Sequence, residues 1–290
     1  MRNILFSCLF LFCCFSMAGK VPSKQKIRLT DNWEYLKGDL GGIWEVVRPA
    51  SPGSPETVPI WQKVTLPHCF NAEDAVDPDV NYYQGPGWYK TLLTIDNPYA
   101  DGRVVLDFEG AGQKTKVYVY TTLVGEHTGG YDGWSVDITE AVKSFMADDK
   151  LVKRFKGKIP LSIRCDNSRD LEMIPSDLSD FNLYGGLYRY LNLVYLPKAS
   201  FEQIRLEPEL SANRKEGSVK VKAFFYNPMD IRKADVTVSV YDANRKQIFT
   251  QTMENVLPLG NQFLTEVKVK NPVLWDVDSP NLYTCELTIN

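Results

Sequence analysis

The sequence predicts an all-β protein. Short runs rich in β-branched and aromatic residues, each bounded by Gly, Pro, Asn or Asp, follow one another along nearly the whole chain. In the last third, apolar and polar residues alternate, the pattern of strands with one buried face. Only one stretch carries helix signals.

Taken in order, the chain opens on an address. Met1-Arg2-Asn3 is a short basic start, residues 4–15 are an apolar run too short to span a bilayer, and Ser16-Met17-Ala18 offers small residues for cleavage. Residues 1–18 therefore read as a secretory signal peptide, placing the protein in the periplasm or outside the cell. Cys13 and Cys14 raise lipid attachment as a minority alternative, against which bulky Phe12 stands where a lipoprotein signal wants small residues.

"GWYKTLLTI", "GRVVLDFEG", "TKVYVYTTLVG", "KIPLSIRCDN" and "LYRYLNLVYL" supply the strands of a first domain, 19–198. Its helical piece is "EAVKSFMADD", with Thr139 or Asp137 as N-cap and Glu140 in the first turn, two or three turns long. "YLPKAS", with Pro197, is the boundary. In the second domain, 199–290, Val219 and Val221 alternate with lysines, Val236, Val238 and Val240 with Thr237, Ser239 and Tyr241, and Val267 and Val269 with lysines again. That is the pattern of a sandwich of antiparallel sheets.

With 290 residues and a formal net charge of −3, the chain has room for two self-sufficient cores and no basic field for nucleic acid or an anionic membrane. Cys69, Cys165 and Cys285 remain beyond the signal, widely and irregularly spaced, which fits neither a disulfide framework nor a metal site. Cys165 and Cys285 fall in phase with apolar strand residues and read as small buried hydrophobes; one Cys69–Cys165 bridge is conceivable. No Walker-type loop or G-x-G-x-x-G is present, and no cofactor is implied. His68 and His127 lack an accompanying Ser or Cys motif and read as structural or exposed.

"DFNLYGGLYRYL", residues 180–191, has an acid at its head, paired glycines and an aromatic-aliphatic tail. Leu187, Leu191 and Leu193 share one side of an extended chain, and Gly185-Gly186 lets another backbone or a ligand come close, holding Asp180 at the rim of a sheet. Among the aromatics, Trp88 and Tyr89 head a strand and read as core; Trp134 is open between core and sugar platform; Tyr83 reads as an exposed ring.

"VTLPHCFNAED", "YYQGPGWYKTLLTI", "VYVYTTLVGEHTGGYDGWSVDITEAV" and "DFNLYGGLYRYLNL" occur in an order and spacing that resemble the N-terminal sugar-binding domain of glycoside hydrolase family 2, which includes β-galactosidases, β-glucuronidases and β-mannosidases. "NPVLWDVDSPNLYTCELTI" resembles the closing strands of the immunoglobulin-like domain that follows it. The resemblance implies a jelly-roll, galactose-binding-like β-sandwich and then an immunoglobulin-like one. One departure is visible: Tyr120-Thr121-Thr122 stands where the family usually has an Asn-Gly turn, so this loop should differ from a type I′ turn.

In the family, both catalytic carboxyls stand on a TIM barrel beyond the immunoglobulin-like domain, and no alternating helix and strand pattern for a barrel occurs here. The resemblance thus implies the non-catalytic front of an exported exo-β-glycosidase, without a catalytic residue of its own. A free-standing carbohydrate-binding module and a remnant without independent activity are the alternatives. Asp177 and Asp180 read as solvated loop acids rather than an acid/base pair; Glu73, Asp74, Asp77, Asp79, Asp170 and Glu172 are scattered likewise.

By resemblance, Asp180 is a binder. Related glycosidases send an Asp from this place into the barrel's pocket to hold sugar hydroxyls; otherwise Asp180 stabilises its own turn. Gln84 stands where some members place an Asn near the pocket. The second domain shows about six strands against about seven in an immunoglobulin-type sandwich. The expectation is a truncated domain with an open sheet edge through which copies could associate.

Overall fold

The computed structural model describes residues 25–48, 60–74, 76–175, 182–227 and 230–290. The signal-peptide segment and both Asp177 and Asp180 lie outside these residues. Every strand pair among them is antiparallel.

One two-stranded ribbon and two large sheets form the first unit. One has four strands: β1 (Gln25–Arg28), β12 (Leu191–Leu196), β6 (Arg103–Phe108) and β9 (Trp134–Asp137), in that spatial order. The other has six: β3 (Gln62–Val64), β2 (Trp33–Lys37), β5 (Pro86–Leu93), β10 (Ile159–Asp166), β7 (Lys114–Val119) and β8 (Thr122–Thr128). Trp33, Tyr89, Val117 and Ile163 from the larger sheet meet Leu106, Phe108, Leu193 and Tyr195 from the smaller one in a single apolar cluster. Burying such side chains contributes about 1.5–3 kcal/mol each, which is what holds the sheets face to face. Trp88 and Tyr89 are both buried, as their strand position implied.

The tail after the glycine pair is not one strand. It breaks into β11 (Gly186–Leu187), paired with β4 (His68–Cys69), and β12, because residues 188–190 turn aside so that the Tyr188 hydroxyl can donate to the Gly130 carbonyl at 2.5 Å. Leu187, Leu191 and Leu193 are nonetheless all buried.

The expected helix is two. α2 (Thr139–Met146) buries Val142 and Phe145, and α3 (Asp149–Arg154) starts afresh because the Asp148 carboxylate accepts from the N–H groups of Lys150 and Leu151. At the head of α2 Asp137 accepts from Thr139 N–H at 2.9 Å, whereas the Thr139 hydroxyl accepts from Val104 N–H in β6 and so fastens the helix to the sheet. A short α1 (Ile43–Val47) precedes both helices. The loop joining β7 and β8 has two residues; Tyr120 is left-handed, with φ 54°, while Thr121 keeps a negative φ, so the turn is not type I′. The Tyr120 ring packs against Trp44, Phe145 and Phe155, which explains a bulky residue at that strained position.

The second unit comprises β13 (Ser200–Leu210), β14 (Glu216–Tyr226) and β17 (Gly260–Lys270) in one sheet, and β16 (Gln247–Val256), β15 (Ala234–Tyr241) and β18 (Thr284–Ile289) in the other. Val221, Val236, Val238, Val240 and Val267 form its core, in phase with the alternation in sequence.

One guanidinium joins the units. Arg103 of β6, only 6% exposed, donates to Asp137 at 2.9 Å and to the Ser200 hydroxyl at 3.2 Å, and lies 3.6 Å from the ring centre of Tyr226. All three cysteines beyond the signal are free, so no Cys69–Cys165 bridge forms; Cys165 is buried, and Cys69 and Cys285 are half-buried.

Candidate functional site

Three loops converge at one end of the first unit: 70–74 after β4, 82–85 before β5, and 182–185 before β11. Asn167, immediately after β10, sits among them. Loops of this kind expose backbone polar groups that must be paired when buried, and two carboxamides pair them here.

Asn71 is 1% exposed and Asn167 0%. Asn71 donates to the Leu183 carbonyl at 2.9 Å and accepts from Gly185 N–H at 2.9 Å. Asn167 donates to the carbonyls of Tyr83 (2.8 Å) and Leu183 (2.6 Å) and accepts from Gly85 N–H at 2.9 Å. Asp74 adds a bond from Tyr83 N–H at 2.6 Å. Gln84 therefore lies between two residues whose backbones are fixed to the segment that leads from Asp180. Its own side chain is half-buried and makes no hydrogen bond among the described residues.

The glycine pair makes the close approach that its sequence suggested. A Cβ on Gly185 would clash with the Phe70 ring, 2.2 Å from its Cζ. Gly186, with φ +111°, leaves room for the Tyr89 hydroxyl and for the His68 carbonyl oxygen, which a Cβ would approach to 2.7 Å. Beneath the loops, Phe70 stacks on Tyr35 and meets Tyr83 edge-on.

Tyr83 is not an exposed ring. It is half-buried, its hydroxyl donates to the Pro86 carbonyl at 2.7 Å, and the Lys37 ammonium lies 4.3 Å from its ring centre. Burial, reinforced by the Asp166 and Asp39 charges, raises its pKa. His68 bonds the Tyr89 hydroxyl through Nδ1 at 2.9 Å, and burial lowers its pKa, so its imidazole is a neutral structural partner. His127 stacks on Trp134, which stacks in turn on Phe108; Trp134 is thus part of a ring stack rather than an open platform.

Three carboxylates near the loops are occupied. Asp74 serves Tyr83 N–H, Asp166 pairs with Arg164 and accepts from Ser168 N–H, and Asp170 pairs with Lys114 and accepts from Glu172 N–H. Among the described residues, no group of three His, Cys, Asp or Glu is placed to hold a metal ion, and no helix is long and apolar enough to cross a membrane. The arrangement positions loops. Sequence reasoning missed Asn71 and Asn167, whose only local signal is a carboxamide shortly after the end of a strand, β4 for one and β10 for the other.

Comparison with known proteins places this architecture. Residues 12–197 match Glycosyl hydrolases family 2, sugar binding domain, and residues 199–290 match Glycosyl hydrolases family 2. The chain belongs to glycosyl hydrolase family 2. The crystal structure of Parabacteroides merdae β-glucuronidase superposes with a TM-score of 0.89 at 76% identity, covering 92% of this chain and 34% of that one. A β-glucuronidase of Bacteroides fragilis is 25% identical over 97% of this chain and 38% of its own length. A β-galactosidase of Thermoanaerobacter pseudethanolicus is 24% identical over 89% of this chain and 32% of its own. The chain thus spans about a third of these relatives, and corresponds to a non-catalytic N-terminal part of such a glycosidase.

Proposed function

We propose that this chain is the loop-donating front of an exported exo-β-glycosidase of the β-glucuronidase or β-galactosidase type. In it, Asp180 and Gln84 contact the terminal sugar in a site completed by a catalytic barrel. The observation that carries the reading is the double anchoring of Leu183 and Tyr83 by Asn71 and Asn167. A buried carboxamide that pairs several backbone groups fixes a loop, and a fixed loop is what a sugar contact requires. Asp180, three residues before Leu183, accepts from two neighbouring hydroxyls as a charged acceptor; Gln84 adds a neutral one.

The finer features belong to the same reading: a jelly-roll topology for 19–198, an immunoglobulin-like unit for 199–290, a signal peptide at 1–18, export to the periplasm or beyond, and self-association through a sheet edge. A stand-alone carbohydrate-binding module draws support from the exposed rings of Tyr82, Tyr131 and Tyr184, and the test separates the two.

This chain is joined to the remaining two thirds of the P. merdae β-glucuronidase, and the chimaera is compared with the chain by itself. The donor-loop reading expects hydrolysis of an aryl β-glucuronide by the chimaera only, and sugar affinity of the chain alone at about millimolar or weaker, ~4 kcal/mol. Micromolar saccharide binding by the chain alone would establish the module instead.

A further inference from the structure

The chain carries a formal net charge of −3, yet "KLVKRFKGK", residues 150–158, holds five cations and no acid. Lys150, Lys153, Arg154, Lys156 and Lys158 are all exposed, and among the described residues none of the four lysines forms an ion pair. Cations on the neighbouring helices are matched, Lys143 by Glu140 at 2.8 Å and Arg48 by Glu45 at 2.7 Å. Asp148 and Asp149, the acids just before the run, stand at the other end of α3, where Asp148 caps the helix. The helix dipole favours Lys153 and Arg154 in the last turn, but gives no reason for Lys156 and Lys158 beyond it.

An exposed ring flanks this ridge. Trp44 of α1 is 63% exposed and meets Tyr120 edge-on, with ring centres 6.2 Å apart, and Tyr120 packs in turn on Phe155 within the run. Arg154 donates to the Val47 carbonyl at 3.0 Å and so ties α3 to α1. Ridge and ring are parts of one braced surface. That surface lies far from the loop site: Lys158 immediately precedes β10 and Asn167 immediately follows it, so the strand's eight residues, about 26 Å at about 3.3 Å each, separate the two ends. A barrel that completes the Asp180 site approaches from the loop end, not from this one.

We propose that residues 150–158 and Trp44 form a second docking site, for an anionic polysaccharide that carries a carboxylate on each of its sugars or on every second one. Successive ammonium groups meet successive carboxylates; each pair is weak at an exposed surface, but several act together along one chain. Trp44 offers the sugar C–H groups the negative face of its ring. An anionic membrane would attract the same cations, and the glycan is favoured because the unit that carries the ridge matches a sugar binding domain. The choice of a glycan rests on the glycosidase reading. The site itself uses neither Asp180, Gln84 nor a barrel, so each can fail without the other.

Affinity electrophoresis of the whole chain in gels containing polygalacturonate, dextran or no polymer tests it, the last giving each variant's own mobility. Polygalacturonate is an α-linked polyuronate, so a β-glycosidase leaves it intact. It should retard the chain where dextran does not, with an affinity per sugar near the millimolar range expected above, and about 0.5 M NaCl should abolish the effect. The triple variant Lys153→Gln, Lys156→Gln, Lys158→Gln should lose about tenfold in affinity. Lys215→Gln, Lys268→Gln, Lys270→Gln, which removes the same charge from exposed positions of the second unit, should leave it nearly unchanged. Trp44→Ala should lose about threefold. Thermal melting controls for folding, and the chimaera should show the same dependence on the ridge. No retardation, retardation indifferent to the ridge variant or to Trp44→Ala, equal losses in the two triple variants, or disappearance of the site in the chimaera would each overturn the proposal. So would ridge-dependent sedimentation with phosphatidylglycerol vesicles without binding to polygalacturonate, which would make this a membrane surface.

Discussion

Asn71 and Asn167 donate to the same carbonyl oxygen, that of Leu183, at 2.9 and 2.6 Å. A carbonyl has two lone pairs, and here both are taken by side chains from different parts of the chain. Each carboxamide spends its own oxygen on a glycine N–H, that of Gly185 or Gly85. The loops on either side are therefore cross-braced, with Leu183 as the shared node.

Asn167→Ala should destabilise the first unit by about 3 kcal/mol, since it strands the Gly85 N–H and strips the Tyr83 carbonyl of a buried partner, at about 1–3 kcal/mol per unsatisfied group. Asn167→Asp should be at least as damaging, because a carboxylate cannot donate to either carbonyl. Urea denaturation of the two variants measures both; a loss below about 0.5 kcal/mol would remove Asn167 from the brace.

Gly186→Ala and Gly157→Ala form a contrasting pair. Both glycines have positive φ, +111° and +75°, but a Cβ at Gly186 would strike the Tyr89 hydroxyl whereas one at Gly157 meets nothing within 4 Å. Gly157→Ala should cost about 1 kcal/mol of backbone strain, and Gly186→Ala clearly more. Equal shifts in thermal midpoint would show that the space around Gly186 is not limiting.

Much of this architecture was legible beforehand, and the reasons differ by element. Val236, Val238 and Val240 are buried because strand periodicity is local information, carried by neighbours two residues apart. The Gly185-Gly186 pair was legible because a close approach demands glycine wherever it occurs. Asn71 and Asn167 were not, because their partners at Leu183 and Gly85 come from distant parts of the sequence, and nothing beside an Asn announces a distant carbonyl. Tyr83 was misread for the same reason: its loop position suggested solvent, while its hydroxyl partner and its Phe70 contact come from folding. The single helix split because Asp148 caps forward rather than extending α2.

Acid should loosen the junction of the two units. Burial alone would raise the Asp137 pKa, but bonds from Thr139 and the Arg103 charge outweigh it and hold the carboxyl below its usual value. A carboxyl depressed in the folded state adds stability that is present above its unfolded pKa, about 3.9, and is lost as pH falls through the folded value. Chemical denaturation between pH 6 and pH 3 should show that loss, and Asp137→Asn should flatten its share of the slope.

Cys165 should resist alkylation in the native chain. Burial pushes its thiol up to about 12, and the thiolate is the reactive form. Cys69 and Cys285 are half-buried, so mass spectrometry after iodoacetamide should find them modified first, and Cys165 only after denaturation.

In the chimaera, Asp180→Ala should lower kcat/KM by about 10- to 150-fold, the equivalent of the ~1.5–3 kcal/mol carried by a charged hydrogen bond. The same change in the isolated chain should leave its melting curve in place. A shifted curve with unchanged kcat/KM would make Asp180 a turn-stabilising side chain.

The guanidinium of Arg103 is rigid and flat, and it is engaged by Asp137 in one unit and by Ser200 and Tyr226 in the other. Its donors cannot be re-aimed separately, as those of a lysine could. A tilt of one sandwich against the other would therefore forfeit the hydroxyl bond or the ring contact at once, rather than stretch them by degrees. One flat group thus spans the joint, and the loop face carried on one side of it is held at the angle that these contacts set.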